Sequence, residues 1–312
     1  MAKAGQLFEE AVRHDPGYAA AWAGMAEAAV GAAFQLSVPP AEASGKARAV
    51  IARALTLDDC LAEAHEALAK CRFWFAWQWD DAEREFQRAI ELNPANADTY
   101  ASYGSCLAYN GRTDEALVQV ARAREIDPLS IHAYAAAGYA YLIGRQYKNA
   151  ITALRHALDL QPDMMSALFH LSLTYQACDQ PEEALATLRQ VAAAAARLPI
   201  YLAHLGQALA LAGQEGEARR AGTELKDLSE HVYVSPFSFT RIHLGLGEDE
   251  QALDYLTAAY EERSPGLVYL LRPDWDPLRE HPRFRDLCRR VGLPDLPLSE
   301  DPTIDHAAMN RH

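Results

Sequence analysis

Apolar and small side chains recur along this chain at three- and four-residue spacing, in blocks the length of ordinary helices, and the blocks themselves return every 34 residues. Alanine holds one register six times without a gap: Ala82, Ala116, Ala150, Ala184, Ala218 and Ala252. A second register carries Gly104, Gly138, Ser172 and Gly206, and a third Pro94, Pro128 and Pro162, each proline followed by a fresh apolar pattern. A 3.6-residue pattern nested in a 34-residue period predicts two antiparallel helices per unit, stacked side by side.

The residue types fit that geometry. Glycine inside a helix costs about 0.5–1 kcal/mol against alanine, so its return at one position marks where a first helix presses closest to its partner. Ala116 and its equivalents serve the contact from the second helix, and the residue four later (Phe86, Val120, Leu154, Leu188, Leu256) fills the adjacent groove. Proline after Asn93, Asp127 and Gln161 disfavours helical geometry at the residue before it and stops each second helix. Thr113-Asp114-Glu115 and Asp179 to Glu183 place a capping side chain and first-turn acids at a helix start.

Tyr100-x-x-Tyr103-Gly104-x-x-Leu107, Ala82-x-x-x-Phe86 and Asn93-Pro94 together resemble the tetratricopeptide repeat, and the resemblance runs over roughly residues 4–263. It implies an all-α fold, a right-handed α-solenoid superhelix of helix-turn-helix repeats. The expected layout is a half repeat at 1–17 acting as a cap, an array of about seven repeats over 18–263, a non-repeat C-terminal lid with a final helix over 264–294, and a disordered acidic tail at 295–312. The first repeat reads as helices near Tyr18–Phe34 and Lys46–Leu57 joined by a protruding loop, Ser37–Gly45. In the second, Phe73, Trp74, Phe75, Trp77 and Trp79 crowd the turn, either as a packing cluster or as an exposed contact site. Gly222 stands where a bulky residue belongs and Ala196 where a proline does, so looseness is expected over 197–230. Leu267–Leu271 reads as an extended apolar stretch leading to Trp275, Leu278 and a last helix near Pro282–Val291. That ending, with the aromatic turn and the long first loop, looks like the C-terminal repeat half of bacterial signalling proteins, in which a winged-helix domain, a nucleotide cyclase or a kinase precedes the repeats.

Composition narrows the partners. The chain carries 29 Lys and Arg against 43 Asp and Glu, a formal charge of −14, which repels phosphate backbones and anionic lipid, so neither nucleic acid nor membrane is expected. Residues 266–292 depart from this, with six Arg against four acids. Five cysteines without C-x-x-C spacing, and an N-terminus with no apolar signal segment, read as a reducing cytoplasm. Phosphate-loop, nucleophile-elbow and metal-helix motifs are missing and the 11 His are scattered, so no catalysis, metal or cofactor is expected.

In repeats of this kind the first helices line the concave face, and the resemblance assigns its groove residue by residue. Tyr109 comes from the third repeat, His132, Tyr139 and Leu142 from the fourth, Phe169, His170 and Leu173 from the fifth, and His204 and Gln207 from the sixth. Ser102, Ser105, Glu66 and Lys70 add to it, while the Lys and Asn of carboxylate-clamping repeats are replaced by Ala101, Ser102 and Ser105. A groove of Tyr, Phe, Leu and His suits an apolar helix or extended peptide, and the acidic surround favours a protein or peptide of neutral or basic character. The same residues also suit a bland reading, Tyr139 and Phe169 packing on the next repeat and His170 and His204 solvated. Neighbouring histidines could couple binding to pH near 6.5. Two other functions stay open: the regulatory half of an enzyme or transcription regulator whose output domain lies elsewhere, and self-association into a homodimer through an array end or through Trp74, Trp77 and Trp79.

Overall fold

The computed structural model describes residues 2–33, 38–194 and 198–294, and among these it contains helices and turns but no strand. Helix α1 (Ala2–His14) is followed by seven antiparallel pairs. They are α2 (Ala19–Ala33) with α3 (Pro40–Leu57), α4 (Ala62–Cys71) with α5 (Trp79–Leu92), α6 (Ala97–Tyr109) with α7 (Thr113–Ile126), and α8 (Ile131–Ile143) with α9 (Tyr147–Leu160). The last three are α10 (Met165–Ala177) with α11 (Pro181–Ala194), α12 (Pro199–Leu211) with α13 (Glu215–Ser229), and α14 (Pro236–Gly245) with α15 (Asp249–Glu261). Two 3-10 turns, Pro265–Tyr269 and Pro273–Leu278, lead to α16 (Pro282–Val291).

Inner and outer helices differ because their surroundings differ. First helices such as α8, IHAYAAAGYAYLI, are buried almost all round, since each touches its own partner and the first helices beside it. Second helices such as α5 bury one stripe, Ala82, Phe86 and Ala89, and give the other faces to charge. All six alanines of the 34-residue register are buried. Asn93, Asp127 and Gln161, each before a proline, end their helices in extended backbone.

A further register emerges at the turn inside each of the last six pairs. Trp77, Gly111, Arg145, Asp179, Gly213 and Gly247, again 34 apart, all have positive φ. Glycine meets this at no steric cost, whereas the left-handed backbone costs a bulkier residue about 1–2 kcal/mol. Trp77 and Arg145 therefore hold it only because their side chains are fixed elsewhere. Trp77 packs on Tyr260, ring centroids 5.4 Å apart, and Arg145 reaches Asp276 through two hydrogen bonds of 2.7 and 2.8 Å.

Close contacts explain the glycine register. A Cβ at Gly138 would lie 2.4 Å from Leu154 Cγ, and one at Gly104 2.9 Å from Val120 Cγ2. Gly206 instead meets Ile242, 2.8 Å from its would-be Cβ, and Gly222 faces the same side chain at 3.5 Å. The side chain missing at Gly222 is thus supplied by the next pair, so the looseness expected over 197–230 is absent where Ile242 fills the gap; Ala196 lies outside the described residues. Gly138→Leu should cost about 1–3 kcal/mol or more, because Leu154 is locked between helices. Gly144→Ala, at φ −74°, should stay within about 1 kcal/mol. Thermal melts of the two variants check the order.

Three other sequence readings need correction. The Ser37–Gly45 loop is shorter than expected, because Pro40 starts α3: proline at a first helical position is pre-set in φ and gives up an N–H that needs no partner there. Its first residue, Ser37, lies outside the described residues, as does the 295–312 tail. Thr113 does not cap α7, whose N-cap is Arg112 with no side-chain cap. Leu267–Leu271 is not extended but turns tightly from Pro265, with Ser264 accepting from the Gly266 N–H.

The pairs curve until the two ends of the array meet. A π-helical turn, Arg72–Ala76, buries Phe73, Trp74 and Phe75. Trp74 packs on Tyr109 and Tyr269 at 4.9 and 5.6 Å, and the Arg263 guanidinium lies 4.9 Å from the Trp77 ring. The aromatic turn is therefore a seam within one chain. Trp74 and Trp77 spend their faces there and are not available to pair two chains, while Trp79 is half-buried against Phe73 at 4.8 Å. Among the described residues no helix is long and apolar enough to cross a membrane.

Candidate functional site

The inner wall has two halves. Over α8 to α14 it is covered by the chain's own 264–279 segment, which turns back into the concave face. Leu267, Leu270, Leu271, Trp275 and Leu278 form one core with Tyr139, Leu142 and Leu173. The geometry follows from sequence: Pro265, Pro273 and Pro277 prevent a regular helix, and a run of short turns can follow a curved wall where a straight helix would not.

This segment decides where the nine expected groove residues stand. Tyr109, Tyr139, Leu142, His170, Leu173, His204 and Gln207 are buried, Phe169 is half-buried, and the His132 side chain is open to solvent. The structure brings most of them together. Tyr109 meets Tyr139 at 4.3 Å, Tyr139 meets His170 at 4.8 Å, and Phe169 meets His204 at 4.6 Å. Gln207 accepts from Arg241 at 3.5 Å. His132 stands apart, bonded to Asp98 at 2.9 Å.

His170 and His204 are not solvated, which corrects one reading of them. Burial, with Arg272 beside it, holds the His170 pKa down at about 3, and burial with Arg241 and Arg272 holds His204 well below the ordinary value. Neither changes charge near pH 6.5 in the folded chain, so that coupling does not run through them. His132 is the opposite case: its hydrogen bond to Asp98 raises its pKa.

Over α2, α4 and α6, and at the first turns of α8 and α10, the wall is open, as a cleft of about 540 Å³. Glu27, Glu63, Glu66 and Asp98 carry its negative charge, with Lys70 the cation among its lining residues. Lys70 bonds Glu66 at 2.7 Å and Glu27 at 2.9 Å. Burial alone would raise the Glu66 pKa, but Lys70 and hydrogen bonds from Thr99 and Ser102 outweigh it and hold the carboxyl below its usual range. The Lys70 pKa is raised, because the two carboxylates outweigh the cost of burying the ammonium. With Lys70 occupied by two acids, Glu63 and Asp98 stay at the rim, Asp98 bonded to the neighbouring His132. Ala135, Ala136 and Met164 add an apolar side.

Sequence reasoning found Glu66, Lys70, Ser102 and Ser105 but missed Glu27, Glu63 and Asp98. Asp98 left one signal, its position 34 residues before His132, which puts the two on adjacent ridges. Asp58, Asp59 and Cys60 also converge, at the α3–α4 turn, but they are exposed and Asp58 accepts from the Cys60 N–H at 2.9 Å, an ordinary turn contact.

Residues 85–118 and 131–164 each match a sequence model of the tetratricopeptide repeat. No curated protein matches the chain. Among solved structures, the human IFIT1 dimer with PPP-AAAA is similar over 83% of this chain and 68% of its own, at 16% identity and a TM-score of 0.62. PilW, described as a widely conserved type IV pilus biogenesis factor, is similar over 66% of this chain and 94% of its own, at 20% identity and a TM-score of 0.50. At such identities the likeness is one of fold, and with the two matched segments it gives the conclusion that this chain is an all-α solenoid carrying tetratricopeptide repeats.

Proposed function

We propose that this chain is a non-catalytic scaffold that holds a neutral-to-basic protein segment in the cleft between α2 and α10. One observation carries the reading: the part of the inner wall left uncovered is the part lined by Glu27, Glu63, Glu66 and Asp98. Five first helices at ~10 Å spacing make a trough of roughly 40 Å, room for about 12 residues of extended peptide at ~3.3 Å each. Lysines on such a peptide would meet Glu63 and Asp98, and apolar side chains Ala135, Ala136 and Met164. The acidic lining disfavours a nucleic acid, because phosphates would face carboxylates. The C-terminal segment, with its resemblance to the repeat halves of signalling proteins, supports placing the scaffold in a regulatory assembly whose output lies on another domain or protein.

The test is fluorescence anisotropy with two labelled 12-residue peptides, one alternating Leu and Lys, the other Leu and Glu. The basic peptide should bind, and rising salt should weaken it. Glu63→Lys/Asp98→Lys, both at exposed positions in first helical turns, should weaken it at least tenfold while lowering stability by only about 1–2 kcal/mol. Equal binding of the two peptides, or indifference to the charge reversal, overturns the reading.

A further inference from the structure

Where the 264–279 segment meets α8, α10, α12 and α14, the interior holds more positive charge than its carboxylates answer. Arg241 and Arg272 are buried completely or nearly so, and both bond Asp274, Arg272 through Nε and Nη2 at 3.1 Å each. One turn away Arg145 and Arg279 share Asp276. Four guanidiniums thus lean on two carboxylates inside a chain whose formal charge is −14.

The two pairs differ in how well they are satisfied. Arg145 places both terminal nitrogens on Asp276, and Arg279 spends Nη2 on the Leu271 and Arg272 carbonyls. Arg241 Nε and Nη2, Arg272 Nη1, Tyr139 Oη, His170 Nδ1 and His204 Nδ1 have no protein partner, although all are buried. They belong to one neighbourhood. The Arg272 guanidinium lies 5.9 Å from the Phe169 ring, which meets His204 at 4.6 Å and His170 at 6.0 Å, and His170 meets Tyr139 at 4.8 Å. Asp274 joins Arg272 to Arg241. Buried polar atoms are nearly always bonded, and an unneutralised buried cation costs several kcal/mol, so this set asks for an acceptor-rich anion. Water offers two acceptor lone pairs and no charge, whereas a tetrahedral oxyanion offers several acceptors and neutralises the surplus.

We propose that Arg241 and Arg272, with Tyr139, His170 and His204 around them, form a buried site for one oxyanion of the phosphate class. The anion ties the C-terminal segment, which carries Arg272, to the inner wall, which carries the other four. His170 is shared between this site and the lining of the open cleft.

The experiment uses the full chain, dialysed free of phosphate and sulfate at constant ionic strength, titrated calorimetrically with inorganic phosphate and separately with phenyl phosphate. One phosphate per chain should bind, and the melting temperature should rise above that in equimolar chloride. Arg272→Gln should weaken binding at least tenfold, and Arg283→Gln, on α16 and paired with Glu250 and Asp254, should leave it unchanged. Where Arg272→Gln fails to fold, Tyr139→Phe keeps the ring and removes one hydroxyl, and it should weaken binding severalfold. Binding of phenyl phosphate as well identifies the anion as the end group of a larger molecule; binding of phosphate alone identifies a free ion. No saturable phosphate binding, or binding that Arg272→Gln and Tyr139→Phe leave unchanged, overturns the proposal and leaves these donors to water.

Discussion

Acidification from pH 7 to pH 5 is expected to cost this fold about 4 kcal/mol, through two histidines that it keeps neutral. His170 and His204 are buried in α10 and α12 with their pKa values pushed down, by burial first and then by Arg272 and Arg241. In the unfolded chain each takes up a proton near pH 6.5. The unfolded state therefore binds more protons than the folded one below that pH, and stability falls by about 1.4 kcal/mol per pH unit for each histidine. The loss begins near pH 6.5 and continues until the folded value is reached, about 3 for His170. His132 works in the opposite sense: its raised pKa adds stability that is complete below its unfolded value and fades as pH rises through the folded one. Its side chain is 59% exposed, so solvent screens the contribution. Carboxylates enter only lower, because Glu66 and Asp274 have lowered pKa values and lose their contribution as pH falls below about 4. Urea midpoints between pH 7.5 and 4.5 test this. The wild type should fall steeply below 6.5, and His170→Gln/His204→Gln should show a much flatter limb whatever its stability at pH 7. A flat wild-type limb would mean that both rings are hydrated or paired when folded.

The hairpins were legible because their signals are local and repeated. A buried alanine every 34 residues, a glycine facing Leu154 or Val120, and a proline after α5, α7 and α9 are each set by contacts within one pair or between neighbours. The left-handed register was half hidden, because Gly111, Gly213 and Gly247 announce it whereas Trp77, Arg145 and Asp179 do not. What the inner wall faces was not legible at all. Arg145 and Asp276 are 131 residues apart, and Arg263 reaches the Ala76 carbonyl across 187. No periodicity relates such residues, since the 264–279 segment is no repeat and its register against the wall is set by curvature accumulated over the whole array. The one trace in the letters is Arg272-Pro-Asp274-Trp-Asp276-Pro-Leu-Arg279, in which charges alternate with large apolar residues next to the apolar run Leu267–Leu271. Such charge is paired when it is buried, so the run called for charged partners on the wall. Arg145 and Arg241 are those partners, and neither belongs to the recurring pattern of small and apolar residues that reveals the repeats.

Asp274→Asn should be the most damaging conservative change, at about 3–5 kcal/mol, because it leaves Arg241 and Arg272 buried without their shared carboxylate. The carboxyl is ionised at neutral pH: burial opposes this, but the two guanidiniums outweigh burial and lower its pKa. Arg241 shows the strain of the same arrangement, since burial brings its pKa down to about 9 in spite of Asp274. Removing one cation along with the anion should recover part of the loss, so Arg241→Met/Asp274→Asn is expected to be more stable than Asp274→Asn alone, with a coupling of about 1–3 kcal/mol. Trp275→Ala, next in the chain and fully buried against Phe237 and Phe284, should cost a similar 3–5 kcal/mol by a different route, the loss of packing. It should show no such rescue by Arg241→Met. Urea unfolding followed by tryptophan fluorescence gives the free energies, and limited proteolysis shows whether Asp274→Asn first releases the 264–279 segment or unfolds the array as one unit. The anion proposal adds a discriminating consequence: with Asp274 neutral, the two guanidiniums have only a bound oxyanion to oppose their charge. Phosphate should then raise the melting temperature of Asp274→Asn by more than that of the wild type, whereas an equal shift in the two would mean that phosphate acts elsewhere on the surface.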